Sequence, residues 1–465
     1  MGYGQLLLSV KSDSDNYLVG NPQFTYFKSV YKRHTNFSID YQSIKLYGDT
    51  ENVFGKKLYI NVPKNGDLVH RMFLTFEVEV GINADLEQIA PLGYNYIDYI
   101  ELYIGGQLID KHTGEYLAIY HEQFSDSSKS IGIANMVGIQ NNTNDSTKKL
   151  ITLPLRFWFN NDVGLSLPLI ALQYSDIKID IKFNDKNKVN KFSSSQPGVS
   201  GISINNIALL SEYIFLDKEE RNMFSSKTHE YLITQLQSSQ LNTIPRYTEL
   251  YSKYYDPGSG IKKEKLEKLR FKVNMRFSYP IKQIIWGIQD LISKKVSNNT
   301  PSIYMDYENE GIFKYNMWNN HTPGSEQMTY CNIIINNKEL MEEMPADFFR
   351  YIQPITYGQG HGINYIDLNT VVDTNNPKMD ELQLSKGLGF YSYSFALKPK
   401  NFQPSGSLNF SKLDNIQLKF GIRKTHEKDD TTDNINQNSK MISLYAINYN
   451  ILKISSGMCG LAFMN

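Results

Sequence analysis

Strict alternation of apolar and polar residues recurs along the chain and predicts many half-buried β-strands. In residues 177–183 isoleucine or phenylalanine occupies every second position, and Lys178, Asp180 and Lys182 stand between them. Four further segments show the same alternation: 74–82, 100–104, 269–277 and 416–420. Because successive side chains of a strand leave opposite faces, each segment has one face for a core and one for solvent. Polar loops between such strands are typical of antiparallel sandwiches and barrels.

Two local signals add a hairpin and a helix to this pattern. Gly105 and Gly106 separate two strand-like runs, and glycine accepts the positive φ that a tight hairpin turn needs. Asp217 and Glu220 have the spacing of a helix capping box near the midpoint of the chain. The chain is therefore expected to be mostly β-structure, with a short helical linker near its centre.

The two halves of the chain resemble each other in pattern. The strands 176–183 and 414–420 both begin with aspartate, and those aspartates lie 238 residues apart, about half of the chain. A long polar loop and a final strand rich in Tyr, Ile and Leu follow each of them, at 207–216 and 441–454. This predicts two domains of one architecture in tandem. The predicted segments are an N-terminal arm, a first domain, a helical linker and a second domain, at 1–24, 25–216, 217–230 and 231–465.

Four polar segments lie between the β-runs, and three of them are longer than ordinary connections. Loops of this length in a compact domain are surface features or disordered segments. We expect them to form surface loops, at 141–149, 186–197, 298–301 and 425–440.

Composition supports a β-rich, self-associating protein. The 465 residues are 41% hydrophobic and 21% charged, and 32 Tyr and 24 Phe favour strands, where flat rings pack across the pleat. The formal net charge is zero, which argues against a coat held on nucleic acid by charge, since neutralising phosphates needs a basic surplus. A neutral chain repels copies of itself only weakly.

The cysteines and the apolar runs indicate the cellular compartment in which the protein is expected. Cys331 and Cys459 are too few for a disulfide framework and are expected to be free thiols. Leu6–Leu8 is too short an apolar block for a signal peptide, and no run approaches the ~18 apolar residues of a membrane span. The sequence predicts an intracellular, soluble protein.

Candidate chemistry is sparse, so no catalytic, cofactor-binding or metal-binding residue is predicted. The eight histidines are scattered, and neither cysteine has a neighbour at ligand spacing. The acidic stretches 373–377 and 429–433 could coordinate calcium, but they lack the glycine and the terminal glutamate of an EF-hand loop, which favours solvated loops. A glycosidase needs only two carboxylates placed by the fold, so a carbohydrate-binding or carbohydrate-cleaving β-sandwich remains an alternative.

A basic cluster near the N-terminus is the one candidate contact site. Lys28, Lys32 and Arg33 are interleaved with aromatic residues. Such a cluster can contact nucleic acid, lipid head groups or an acidic partner, or it can be a plain solvated face.

Four stretches, in order along the chain, carry a resemblance to a known family. They are 21–37 (NPQFTYFKSVYKRHTNF), 93–106 (GYNYIDYIELYIGG), 393–411 with YSFAL, QPSG and NFS, and 456–463 (SGMCGLAF). Together they closely resemble the major capsid proteins of nucleocytoplasmic large DNA viruses, from near residue 21 to the end of the chain.

The resemblance implies an all-β fold of two tandem eight-stranded antiparallel jelly-roll barrels joined by a short helical linker. It implies a structural protein without enzymatic activity or cofactor, which forms pseudo-hexagonal homotrimeric capsomers of an icosahedral virion shell assembled in the host cytoplasm. The partners implied are other copies of the chain, minor capsid proteins and, as a further candidate, the internal viral membrane. It places Lys28, Lys32 and Arg33 near the inner face of the shell. A minor capsid paralogue of the same fold, a vertex or scaffold protein, stays an alternative.

Overall fold

The computed structural model describes residues 3–10, 12–48, 53–79, 92–124, 127–138, 148–185, 203–244, 270–291, 328–358, 390–422 and 439–463. Two compact units make up the chain, Met1–Phe37 and Ser38–Asn465. The predicted surface loops fall mostly outside the described residues, and the segments weighed for calcium, 373–377 and 429–433, lie outside them entirely.

The N-terminal unit contains short helices. Helix α1 spans Tyr3–Ser9, a 3-10 turn spans Asp13–Asp15 and helix α2 spans Asn16–Val19. The backbone N–H of Ser12 donates to Oδ2 of Asp15 at 2.8 Å, which satisfies one of the free donors at the start of the turn. No residue of α1 or α2 is buried.

The first half of the larger unit forms two antiparallel sheets. Their strand orders are β1-β9-β3-β6, with the short β7 beside β3, and β2-β8-β4-β5. The strands are β1 Phe37–Lys45, β2 Lys57–Asn61, β3 Leu68–Glu79, β4 Ile97–Ile104, β5 Gln107–Thr113, β6 Lys148–Pro154, β7 Leu167–Pro168, β8 Ile177–Phe183 and β9 Ser203–Leu216. The helices are α3 Leu92–Asn95, α4 Gly114–Phe124, α5 Ser127–Val137 and α6 Trp158–Asn161, and 3-10 turns span Val163–Leu165 and Leu169–Ala171.

The second half repeats this arrangement after helix α7, Lys218–Ser226. Its sheets are β10-β19-β12-β16, with β17 beside β12 and β20 beside β19, and β11-β18-β13-β14, with β15 beside β13. The strands are β10 His229–Ile244, β11 Phe271–Asn274, β12 Pro280–Leu291, β13 Met328–Ile335, β14 Lys338–Glu339, β15 Met344–Pro345, β16 Phe390–Ser394, β17 Leu408–Asn409, β18 Ile416–Ile422, β19 Ser439–Ser455 and β20 Met458–Leu461. A π-helical turn spans Phe348–Ile352, helix α8 spans Gln353–Tyr357 and a 3-10 turn spans Phe410–Lys412.

The same strand order occurs in both halves. When the eight main strands of each half are counted from one to eight, both halves give the orders 1-8-3-6 and 2-7-4-5. These two four-stranded antiparallel sheets are those of a jelly roll, so the predicted fold is confirmed. Strands β8 and β18 both hold the seventh place, which explains the repeat seen in the sequence. We call the two sheet pairs the first and the second barrel.

Each barrel core is built from the inward positions of the alternating strands. In the first barrel Leu102 and Ile179 are fully buried, and in the second Ile333 and Leu418 are fully buried. Each such side chain stabilises the fold by roughly 1.5–3 kcal/mol through the apolar surface removed from water.

One strand is shorter than predicted: β11 ends at Asn274, where the register with β18 ends.

Tight turns set the register of the sheets that hold β4 and β13. Gly105 and Gly106, with φ of 59° and 78°, form the predicted hairpin between β4 and β5. Asn336 and Asn337 occupy the same place between β13 and β14, with φ of 49° and 65°. Asparagine tolerates this left-handed region better than other residues with a side chain, so the two barrels use different residues for one turn.

The predicted helix at the midpoint is confirmed. The carboxylate of Asp217 accepts a hydrogen bond from the backbone N–H of Lys218 at 2.7 Å, at the start of α7. Nε of Arg221 lies 2.9 Å from Oδ1 of the buried Asp67, which ties the helix to the first barrel. The division of the chain into an arm, two domains and a linker at the predicted boundaries remains a prediction.

Candidate functional site

The residues predicted as inner-face contacts, Lys28, Lys32 and Arg33, all lie in the N-terminal unit and are exposed. Within the described ranges none of the three forms an ion pair with another residue. Their charges are therefore available to an acidic partner.

The N-terminal unit also exposes many large apolar side chains. Phe27 is 98% exposed and Tyr17 is 94% exposed. The others are Tyr3, Leu6, Leu7, Leu8, Val10, Leu18, Val19, Phe24, Tyr26, Val30 and Tyr31. So many exposed apolar side chains in one segment favour a role in contacting a partner. The charges of this segment and the apolar triplet Leu6–Leu8 are evident in the sequence, but the exposure of so many apolar side chains is not.

The two barrels meet at a junction centred on Asp110 of β5. The backbone N–H of Leu236 in β10 donates to Oδ1 of Asp110 at 2.9 Å, and Nε2 of His112 lies 3.0 Å from Oδ2 of the same carboxylate. Asp110 and His112 are both buried. A buried carboxylate needs such donors to offset its lost hydration, so Asp110 makes the contact between β5 and β10 specific.

A β-bulge explains why Asp110 points inward. Leu102 pairs with Asp110 but the next residue, Tyr103, pairs with Leu108, so Ile109 is an extra residue in β5. The bulge interrupts the alternation and turns both Ile109 and Asp110 away from solvent. Simple alternation in the sequence cannot reveal this.

Helix α4 of the first barrel packs on the second barrel. Tyr116 and Ile119 of the helix form one buried cluster with Ile285 and Ile447 of the second barrel. The Tyr116 and Tyr445 ring centroids are 5.8 Å apart. The junction is therefore apolar as well as hydrogen-bonded, as in a permanent rather than a transient contact.

Glu115, at the start of α4, is an ionisable group inside this junction. Burial raises the pKa of the Glu115 carboxyl to about 7, although hydrogen bonds with the hydroxyls of Tyr445 and Ser443 act in the opposite direction. The carboxyl is therefore mostly neutral in the folded protein below neutral pH. Nothing in the sequence distinguished Glu115 from the other acidic residues.

The C-terminal hairpin makes the second contact between the barrels. The carbonyl of Gly457, between β19 and β20, accepts a hydrogen bond from the N–H of Tyr174 at 2.9 Å, and the N–H of Cys459 donates to Oγ of Ser175 at 3.1 Å. Leu452 and Ile454 of β19 belong to the core cluster of the first barrel. One chain is thus a two-barrel block with a shared core.

Ion pairs cover the outer face of the sheet β2-β8-β4-β5. Lys57 lies 3.2 Å from Glu101 and 3.0 Å from Asp180, and Lys111 lies 2.9 Å from Glu101. Burial alone would lower the pKa of Lys57, but the hydrogen bonds with Asp180 and Glu101 raise it. Burial would raise the pKa of Glu101, yet Lys111 and Lys57 hold it below its ordinary value.

The corresponding sheet of the second barrel carries a similar network. Glu343 lies 3.1 Å from Arg270 and 3.0 Å from Lys419, which also lies 3.2 Å from Glu339. Both barrels therefore present a polar, cross-linked outer face. In the first barrel the carboxylates of Glu101 and Asp180 are buried beneath partly exposed lysines.

Metal ligands, thiols and membrane-spanning helices are the remaining candidates for a site. Among the described ranges no three His, Cys, Asp or Glu side chains come together as metal ligands would. Cys331 is buried and Cys459 is partly buried, and both are free thiols. None of the helices in the described part of the chain combines the length and apolar composition of a membrane span.

Family comparisons cover nearly the whole chain. Residues 25–217 match the family described as major capsid protein N-terminus, and residues 220–361 and 384–460 match the family described as large eukaryotic DNA virus major capsid protein. The chain is 33% identical to the major capsid protein of Pyramimonas orientalis virus over 100% of both chains. It is 29% identical to that of Paramecium bursaria Chlorella virus 1 over 97% of each.

Solved structures show the same similarity. The fold matches a chain of the quasi-atomic model of the PBCV-1 virus capsid with a TM-score of 0.71 and 26% identity, over 95% of this chain and 100% of that one. The Faustovirus major capsid protein matches with a TM-score of 0.60 and 12% identity, over 96% of this chain and 94% of that one, which supports the fold alone.

Proposed function

This chain belongs to the large eukaryotic DNA virus major capsid protein family, and from this premise we propose that three copies form each capsomer of the shell. The protein is a structural major capsid protein of a nucleocytoplasmic large DNA virus and forms the icosahedral virion shell. The observation that carries this conclusion is the match of both halves of the chain to the two capsid families, in order.

The two-barrel architecture of one chain supports the proposed trimer. The barrels share core residues and hydrogen bonds across the junction, so they have a fixed relative orientation within the larger unit. Three such blocks give six barrels, which imitate a hexagon and can tile a large surface. Symmetric homo-oligomers close around an axis in this way.

The experiment is light scattering on the purified full chain at micromolar concentration. We expect three times the mass of one chain, held by interfaces on the order of 2,000–5,000 Å² each. A stable monomer at that concentration would contradict the trimer but not the membership in the family.

We propose that the N-terminal unit contacts the inner side of the shell. Its exposed apolar residues, and the charges of Lys28, Lys32 and Arg33, which form no ion pair among the described residues, support a partner with apolar and acidic groups. Minor capsid proteins are the first candidate for that partner and the internal viral membrane is the second, since each cation contributes about 1 kcal/mol near an anionic surface. Assembly in the host cytoplasm belongs to the same proposal, because two free thiols suit a reducing compartment.

A further inference from the structure

A cleft of about 390 Å³ lies between the two barrels, next to the junction. The first barrel contributes Tyr120, Arg156 and Trp158 to its walls, and the second barrel contributes Lys282 and Phe402. A volume of this size holds one or two amino-acid side chains or a small molecule. The family comparisons assign no role to it.

Lys282 is the unusual residue of the cleft. It is 6% exposed, and its Nζ lies 5.6 Å from the centroid of the Tyr449 ring. No carboxylate of the described residues forms an ion pair with it, whereas the exposed Lys453 pairs with Glu230 at 2.8 Å. Burial lowers the pKa of Lys282 to about 8, so at neutral pH the amine is still mostly charged. A buried charge without a partner is costly unless an anion joins it.

Arg156 is the second cation of the cleft. Its guanidinium lies over the ring of Tyr120, 5.1 Å from the centroid, and makes no ion pair with a carboxylate in the parts of the chain that the structure describes. The planar guanidinium can hold both oxygens of a carboxylate, while an ammonium group such as that of Lys282 acts as a point charge.

We propose that this cleft binds the carboxylate of an acidic side chain from a partner polypeptide, with Lys282 and Arg156 as its cationic contacts. The aromatic walls at Trp158 and Phe402 suit the apolar stem of that side chain or of its neighbour. The preference for a carboxylate is argued from the residues of the cleft alone. That a partner polypeptide supplies this carboxylate rests on the shell function proposed above.

A single carboxylate suits the cleft better than a nucleic-acid or lipid phosphate. Asp110 and Asp162 also line it, so a group of higher negative charge meets repulsion. The buried Asp110 is compensated by His112 and by the N–H of Leu236. Of the cations that line the cleft, Lys282 and Arg156 form no ion pair with a carboxylate among the described residues, and we propose these two as the contacts. The neutral net charge of the chain likewise offers no attraction to a polyanion.

The test is titration calorimetry on the full-length protein at low ionic strength, with three probes. They are N-acetyl-Glu-Phe-amide, its glutamine analogue and inorganic phosphate. We expect the glutamate peptide to bind at least about tenfold more tightly than either of the other two probes. A hydrogen bond to a charged group contributes more binding free energy than a hydrogen bond between neutral groups. Phosphate binding as tight as that of the glutamate peptide, or no binding of the peptide, would overturn the proposal.

Substitutions locate the binding site. Lys282→Met and Arg156→Met should each lower the affinity for the glutamate peptide by about tenfold or more. Lys453→Met, at an exposed position on β19, should leave this affinity unchanged. The melting temperature of the free Lys282→Met protein should be equal to or above that of the wild type, because the substitution removes an unpaired buried charge. A clear fall in that melting temperature would show that Lys282 has an internal structural role instead, and equal weakening by Lys453→Met would show that the peptide does not bind in the cleft.

Discussion

The hydroxyl of Tyr445 in the second barrel lies 3.3 Å from the hydroxyl of Thr113, the last residue of β5 before helix α4 in the first barrel. This contact joins residues 332 positions apart in the sequence. The same tyrosine hydrogen-bonds to Glu115, so the polar end of the junction depends on the protonation of one carboxyl group. The contact between the barrels is therefore expected to be sensitive to pH.

We expect Glu115→Gln to stabilise the protein above neutral pH. The pKa of Glu115 is raised by burial from 4.5 to about 7, so between these values the folded chain binds more protons than the unfolded chain. This group's contribution to the free energy of unfolding is present below pH 4.5 and is lost as the pH rises to 7. Glutamine mimics the neutral carboxyl, and the gain at pH 8 should be on the order of 1–3 kcal/mol.

Urea denaturation at several pH values between 5 and 8 measures this effect, with Glu230→Gln as the matched control. Glu230 lies on β10 and pairs with Lys453 on the surface, so its substitution should leave the pH dependence of stability unchanged. If Glu115→Gln follows the wild-type pH curve, the carboxyl is not buried in the solution structure of the junction.

Gly457→Ala should destabilise the contact between the C-terminal hairpin and the first barrel. Gly457 has a φ of +79°, and an added Cβ would lie 2.6 Å from a ring carbon of Tyr174. We expect a loss of about 1–3 kcal/mol in the free energy of unfolding from backbone strain and the displaced ring. Gly460→Ala in β20 is the control, because an added Cβ there meets nothing within 4 Å. Equal effects of the two substitutions would refute the role of the Tyr174 contact.

The barrel strands and the hairpin could be predicted because they depend on local pattern. The alternation in residues 177–183 gives β8 with its inward isoleucines, and Gly105-Gly106 gives the turn after β4. The corresponding turn at Asn336-Asn337 carries a weaker signal, because asparagine occurs in many loops and adopts positive φ in few of them.

The junction could not be predicted because its residues meet only after both barrels have folded. Asp110 owes its inward position to a bulge, and the hydrogen-bond partners of Glu115, Tyr445 and Ser443 of β19, follow more than 300 positions later in the sequence. Lys282 is the extra residue at a bulge where β12 pairs with β19, and neither that bulge nor the burial of the lysine can be read from the sequence.

The free energy of unfolding should also depend on pH through the buried amine of Lys282. Its pKa is lowered from 10.5 to about 8, so between these values the unfolded chain binds more protons than the folded chain. The free energy of unfolding should therefore rise with pH from 8 to about 10, and Lys282→Met should remove this rise. Urea denaturation at pH 8, 9 and 10 measures it, with Lys453→Met as the control. A rise that persists in Lys282→Met would mean that another group causes it.

Deletion of residues 1–15 tests the role of the N-terminal unit. Helix α1 has no buried residue, so its removal takes nothing from a hydrophobic core, and we expect the trimer to melt within about 2 °C of the full-length protein. The deletion also removes Leu6, Leu7 and Leu8, which are exposed on α1 and not buried in a hydrophobic core. We therefore expect a clear fall in the incorporation of the truncated chain into particles, measured beside full-length protein in the same infected cells.

A second variant separates charge from apolar contact in the same unit. Replacing Lys28, Lys32 and Arg33 together by glutamine keeps α1 and removes three exposed cations. If the partner is an anionic membrane, this variant should lose binding to vesicles containing phosphatidylserine, with about 1 kcal/mol lost per cation. If the partner is a minor capsid protein that packs on the leucines, the 1–15 deletion should lose incorporation while the glutamine variant keeps most of it. Normal incorporation of both variants would remove the anchoring role, and a collapsed melting temperature of the truncated trimer would show that the segment is part of the fold.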